Sequence, residues 1–200
     1  MEFKHVYRDV VRRLGTVKSL FVALGCCVAF VGLASAEGGG FRLVSPGWRE
    51  GGTVPQENVY NGSGCGGRNV SPELHWSGAP AGSKSFAITI VDPDAPARGG
   101  WWHWVVANIP GTVSGLPAGA GNQGSRALPA GSVQSRNDYG EPGYGGPCPP
   151  SGTTHRYFVR VYALNIAKLS FGSDTPPAKL ARLIEEHSIG VARLTVTFGR

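Results

Sequence analysis

The sequence predicts a mainly β domain, and three observations predict it. The 200 residues include Gly 31 and Pro 15, a load that long helices do not carry. The apolar and β-branched residues come in short runs, several with period-two alternation. Between those runs lie Gly/Pro-rich loops, chiefly Gly111 to Gly131 and Asp138 to Gly152. A composition of 41% hydrophobic and 16% charged residues excludes a disordered acidic or basic chain. The length suits one core, and neither an internal repeat nor a second domain is visible.

Taken in order, Met1 to Ala36 reads as a secretory leader. Lys4, Arg8, Arg12, Arg13 and Lys18 give it a basic front, the apolar run Leu20 to Leu33 follows, and Ala34-Ser35-Ala36 supplies a small-x-small cleavage pattern. The expected cut lies after Ala36 and leaves residues 37–200 as a single exported domain, periplasmic or secreted. A retained anchor is the alternative, but the run is short for a span of about 20 residues. The formal net charge is +6, and five basic and two acidic residues leave with the leader, so the remainder carries only +3. With no basic run after Ala36, that is no nucleic-acid footprint. Cys65 and Cys148 remain. Two cysteines in an oxidising compartment suggest one disulfide; two free thiols are the alternative, and a zinc site is disfavoured by the lack of CxxC or CxxH spacing.

Strands are expected at Phe41 to Val44, Ser85 to Val91, Trp102 to Ile109, Arg156 to Leu164 and Val191 to Phe198. One helix is expected near the C-terminus. Asp174 or Thr175 is placed to cap it, Pro176 and Pro177 suit its first turn, and Leu180, Leu183, Ile184 and His187 repeat at helical spacing until Gly190. Two glycine patterns, Gly62 to Gly67 and Gly119 to Gly124, mimic dinucleotide-binding loops. Neither leads into a helical pattern, so both read as ordinary loops. Asn61-Gly-Ser63 and Asn69-Val-Ser71 are formal glycosylation sequons.

Three segments carry chemistry. Asp92-Pro93-Asp94-Ala95-Pro96 ends an apolar strand, and its prolines stiffen a turn bearing two carboxylates. Trp101-Trp102-His103-Trp104 opens the next strand. Strict alternation would set Trp101, His103, Val105 and Ala107 on one face and Trp102, Trp104, Val106 and Asn108 on the other. A lone histidine in an apolar row is usually a satisfied core residue; the nearby carboxylates shift that balance, because a carboxylate fixes an imidazole tautomer. In Tyr144 to Tyr157, Gly145 and Gly146 are expected to expose backbone N–H groups to an anion, with His155 and Tyr157 on one face of the following strand. Together these describe a small preorganised anion pocket.

These residues resemble the phosphatidylethanolamine-binding proteins, also called Raf kinase inhibitor proteins, in their bacterial Raf kinase inhibitor-like branch. The D-P-D-A-P turn at Asp92 to Pro96, the W-x-H pattern at Trp101 to His103 with Asn108 beyond, and the run Gly146 to Tyr157 look like the family's two signature regions. Asn69 to Trp76 and Gln134 to Gly140 look like the bacterial branch. The resemblance spans Phe41 to Phe198. It implies a large antiparallel β-sheet packed on a smaller sheet, with peripheral helices, and a pocket for phosphate or phosphoethanolamine-type anions. Asp92, Trp101, His103, Gly146, His155 and Tyr157 fall on positions associated with that pocket, Asp94 and Pro96 shape its rim, and a Cys65–Cys148 bridge pins the pocket loop.

The function expected on this basis is non-enzymatic binding, with no catalytic residue, cofactor or metal. His103 and His155 would donate to the anion, Gly146 would add a backbone N–H, and affinity would rise as pH falls towards about 6. Two other classes stay open. One is a modulator of an unnamed protein partner, such as a protease inhibitor or a host-interaction factor. The other is a hydrolase in which Asp92 and the histidines activate water, with or without a metal. Peripheral contact with lipid headgroups is also left open.

Overall fold

The computed structural model describes residues 40–200, so the expected leader lies outside the described residues. Eight strands follow in order: β1 (Arg42–Val44), β2 (Leu74–Ser77), β3 (Ser85–Asp92), β4 (Trp101–Pro110), β5 (Gly115–Leu116), β6 (Val133–Gln134), β7 (Thr154–Leu164) and β8 (Ser188–Gly199). One helix, α1 (Pro177–Glu186), precedes β8, and a single 3-10 turn covers Gln56–Asn58. β1, β2 and β5 form a small antiparallel sheet, while a larger one runs in the order β6-β4-β3-β7-β8, with every named pairing antiparallel. The expected mainly β class is therefore the observed one. Alternation did not reveal β2, β5 and β6, of which β5 and β6 are two residues each, too short for a period to register.

Each face of the large sheet is covered by something different. One packs Ile88, Ile90, Trp104, Val106, Val159 and Val196 against Leu43, Leu74, Trp76 and Leu116 of the small sheet region. The other packs Ala87, Val105, Ala107 and Tyr162 against Leu180 and Ile184 of α1. This is why β3 is buried along its whole length and reads as an apolar run more than as an alternating one.

Alternation fails in β4 at two places. Ile90 pairs with Trp104 but Val91 pairs with Trp102, which leaves His103 as an extra residue, a β-bulge. A second register shift falls where Phe86 pairs with Ile109 and Ile88 with Val106; there Asn108 adopts φ 61 and exchanges two hydrogen bonds with Leu169. As a result Trp102 packs with Val105 and Ala107, not with Trp104 and Val106. His103 turns to the side of Trp104 and Tyr157.

The helix also departs from expectation at both ends. Neither Asp174 nor Thr175 caps it. Asp174 accepts from Arg136 at 3.0 Å, and the Thr175 hydroxyl accepts from the Gly172 amide at 3.2 Å. Pro176 occupies the cap position with no side-chain bond, and its carbonyl receives the first helical N–H groups. The helix stops at Glu186 because Ser188 and Gly190 already pair with Leu164 and Ala163. Gly190 does not end the helix; a Cβ there would press on Pro80 at 2.6 Å.

Cys65 and Cys148 are bridged across a sequence separation of 83 residues, with their Cα atoms 5.8 Å apart. The bridge ties the loop after the 3-10 turn to the loop before β7, beside the Tyr60 amide bond to the Pro147 carbonyl (3.1 Å). Replacing both cysteines by serine is expected to lower unfolding stability by about 2–4 kcal/mol and to speed amide exchange in residues 60–67 and 144–149 while β3 stays protected. Guanidinium unfolding with hydrogen exchange checks this; unchanged stability and exchange would refute it.

Candidate functional site

Because the strands are antiparallel, the end of β3 and the starts of β4 and β7 meet at one end of the large sheet. Asp92 pairs with Trp101 at the β3–β4 seam, and Val91 pairs with Phe158 across the β3–β7 seam. Period two then brings Asp92, His155 and Tyr157 to one face, and the bulge adds His103. Asp92, His103, His155 and Tyr157 are all buried.

Asp92 is an organiser. Its Oδ1 accepts from the amides of Asp94 (2.8 Å) and Ala95 (3.0 Å), the first donors available after Pro93, which has none. Its Oδ2 accepts from His155 Nδ1 at 2.7 Å. The carboxylate thereby fixes the His155 tautomer and leaves Nε2 as the working nitrogen.

His103 is held differently. Its Nδ1 donates to the Gly145 carbonyl at 2.7 Å, and the Gly145 amide donates back to the His103 carbonyl at 2.9 Å. Burial pushes its pKa down to about 4, against the upward pull of the Gly145 carbonyl and the Asp92 carboxylate. Tyr157 lies edge-on to the imidazole at 5.2 Å, and burial and the Asp92 charge raise the pKa of its hydroxyl. His103 Nε2, the Tyr157 hydroxyl and Trp101 Nε1 are all buried without a hydrogen-bond partner.

Not every expected residue plays its expected part. The amides of Gly145 and Gly146 are not free. Gly145 serves the His103 carbonyl, and Gly146 donates to Asn69 Oδ1 at 2.7 Å. Glycine is needed at position 146 for a different reason, since a Cβ there would collide with the Asn58 carbonyl. Asp94 faces away from the histidines into a fork with Arg156, accepting from Nη2 at 2.6 Å, Nε at 2.9 Å and the backbone amide at 2.8 Å. That partner holds its carboxyl low, at about 2. Pro96 is exposed in the same turn.

Three further residues build the site without having been singled out as site residues. Tyr139 stacks on Tyr60 at 4.0 Å, meets Trp101 and His103 edge-on at 5.4 and 5.8 Å, and donates its hydroxyl to the Gly146 carbonyl at 2.9 Å. Asn69, at φ 54, bonds Gly146 and also donates to the Tyr144 carbonyl at 3.3 Å. Both bonding ends of Asn69 are thus committed to the loop, which is at odds with its sequon. Tyr139 and Asn69 lie inside the segments Gln134 to Gly140 and Asn69 to Trp76 that resemble the bacterial branch, whereas Tyr60 carried no signal. Among the described residues no group of three or more His, Cys, Asp or Glu is arranged to hold a metal ion. A surface hollow bounded by Lys84, Pro110 and Lys168 contains none of the site residues.

The buried neutral His103 gives a signed pH dependence. Its pKa falls on folding from 6.5 to about 4, so below 6.5 the unfolded chain binds a proton that the folded chain refuses. The stability it confers is whole above that value and is lost as pH falls towards 4, by about 3 kcal/mol. Urea unfolding at about pH 7 and about pH 4.5 is expected to show a larger loss in the native protein than in His103→Gln; equal losses would refute the assignment.

The family model described as phosphatidylethanolamine-binding protein matches residues 44–199. Escherichia coli (strain K12) YbcL is 43% identical over 165 residues, covering 82% of this chain and 90% of YbcL. The crystal structure of YbcL, described as a new member of the mammalian PEBP family, superposes with a TM-score of 0.78, covering 80% of this chain and 98% of that one. YbhB of the same organism is 43% identical, covering 78% of this chain and 99% of YbhB. A Mycobacterium tuberculosis (strain H37Rv) protein named putative lipoprotein LppC is 36% identical, covering 78% of this chain and 71% of LppC. The chain belongs to the phosphatidylethanolamine-binding protein family, alongside the bacterial proteins YbcL and YbhB.

Proposed function

We propose that the protein is an exported, non-enzymatic binding protein whose site takes a small phosphate-type anion, phosphoethanolamine-like headgroups included. The observation that carries this reading is that three polar atoms on residues at this end of the large sheet, His103 Nε2, Tyr157 OH and Trp101 Nε1, are buried without a hydrogen-bond partner. Leaving such an atom dry and unbonded costs about 1–3 kcal/mol, so a polar ligand that bonds several of them relieves a burden built into the fold. His155, aligned by Asp92, adds a fourth polar group, and the stacked Tyr139 and Tyr60 wall one side. Gly146 contributes closeness of approach rather than an amide, and Asp94 and Pro96 shape the turn rather than touch the anion. Export is supported by the sequence of Met1 to Ala36, by the Cys65–Cys148 bridge, and by a relative named as a lipoprotein.

A hydrolytic reading draws on the same Asp92–His155 pair, since a carboxylate-aligned imidazole can act as a general base. Binding is preferred because the unpartnered His103, Tyr157 and Trp101 atoms call for a bound polar group whether or not His155 acts as a base.

Calorimetric titration with phosphoethanolamine and with phosphate is expected to give saturable heat that His155→Ala abolishes. No heat from the native protein, together with unchanged His103 and His155 ring signals by NMR, would overturn the reading.

A further inference from the structure

His103 constrains the ligand further. Its Nδ1 faces the Gly145 carbonyl oxygen at 2.7 Å, an atom that only accepts, so Nδ1 carries the ring's proton. Its Nε2 is buried and meets no donor or acceptor. The groups around the ring are the Asp92 carboxylate from β3, His155 and Tyr157 from β7, and Tyr139 with the Gly145 and Gly146 carbonyls from the loop before β7. Burial dominates them and holds the imidazole neutral down to about 4. Near neutral pH, Nε2 is therefore a bare lone pair and not the donor that the sequence suggested.

The other unpartnered atoms have the opposite polarity. Trp101 Nε1 only donates, and the Tyr157 hydroxyl has a proton to give. A ligand that satisfies all three must accept at some atoms and donate at another. A phosphate dianion would set an oxygen lone pair against Nε2. A phosphodiester has no P–OH to offer. A phosphomonoester monoanion has both kinds of oxygen.

We propose that the site binds the singly protonated form of a phosphomonoester or of free phosphate, its P–OH donating to His103 Nε2 and its charged oxygens accepting from Tyr157 and Trp101. This rests on the anion-site reading above and narrows it to one protonation state. The shared chemistry is a phosphoryl group that still carries a proton, whether from a detached headgroup or from inorganic phosphate; the diester of an intact phospholipid lacks it.

The second proton of a phosphomonoester leaves near pH ~6, so affinity falls about tenfold for each pH unit above that point. Inorganic phosphate holds its proton to higher pH, so its decline begins later. In an imidazolium-based site the decline would begin at one pH for every ligand.

The test is calorimetric titration of the protein with phosphoethanolamine, inorganic phosphate and the diester glycerophosphoethanolamine, stepped from about pH 5.5 to about pH 8, with nitrogen-15 spectra of His103 in the free and saturated states. The expected result is binding of both protonatable ligands with declines offset as their own ionisations are, at least tenfold weaker binding of the diester, and a His103 ring that stays neutral. Equal binding of the diester, a pH-independent affinity, a common decline, or an imidazolium signature for His103 in the complex would overturn the protonation proposal while leaving the anion site standing. No binding of any of the three at any pH would overturn both.

Discussion

Because β4 carries one residue more than β3 between Trp102 and Trp104, the strand changes parity at the point where the site begins. Without that extra residue, His103 would share a face with Val105 and Ala107 and point under α1, into the helix-covered core. With it, His103 joins Tyr157 on the side that Asp92 and His155 already occupy. A bulge breaks the ladder locally and leaves backbone groups to be satisfied elsewhere. Here the Gly145 amide takes the free His103 carbonyl while the His103 ring takes the Gly145 carbonyl. The bulge and the loop therefore hold each other in place, and the rest of the site is arranged around that exchange.

Around this exchange, polar bonds tie the loops to one another and to β4. Asp138 exchanges two bonds with Trp102, one from its carboxylate and one from its amide. Asn69 joins Gly146 and Tyr144, and the Tyr144 hydroxyl donates to the Asn58 carbonyl at 2.6 Å. Such bonds gain strength where water is excluded, and the Cys65–Cys148 bridge adds a covalent tie between the same two loops. The result is a rigid cradle built from irregular chain, mounted on the stiff end of a sheet.

That rigidity gives meaning to the atoms left unsatisfied. In a mobile loop an unpartnered polar group turns towards water; in this cradle His103 Nε2, Tyr157 OH and Trp101 Nε1 have no such freedom. The two histidines also differ although both are buried. His155 is tied to a carboxylate and His103 to a carbonyl, so each Nδ1 proton is committed to a different kind of acceptor and each Nε2 is left for a ligand.

The sequence by itself determined the β class, the short β1 and the four long strands, and the C-terminal helix, and it singled out Asp92, His103, His155 and Tyr157, which the fold brings to one end of the large sheet. Each is written locally, as a composition, a period or a short stiff motif. Only the tertiary structure decided what those residues do. Alternation along β4 misassigned Trp102, because a bulge is set by pairing with β3 and not by β4 alone. Gly146 looked like an anion-binding amide until Asn69, 77 positions away in sequence, was found to occupy it. Asp94 looked like a rim carboxylate until Arg156 claimed it. Tyr60 gave no signal at all, because its part depends on Tyr139 lying against it. Hydrogen-bond partners and desolvation are properties of contacts between distant segments, and no local pattern encodes them.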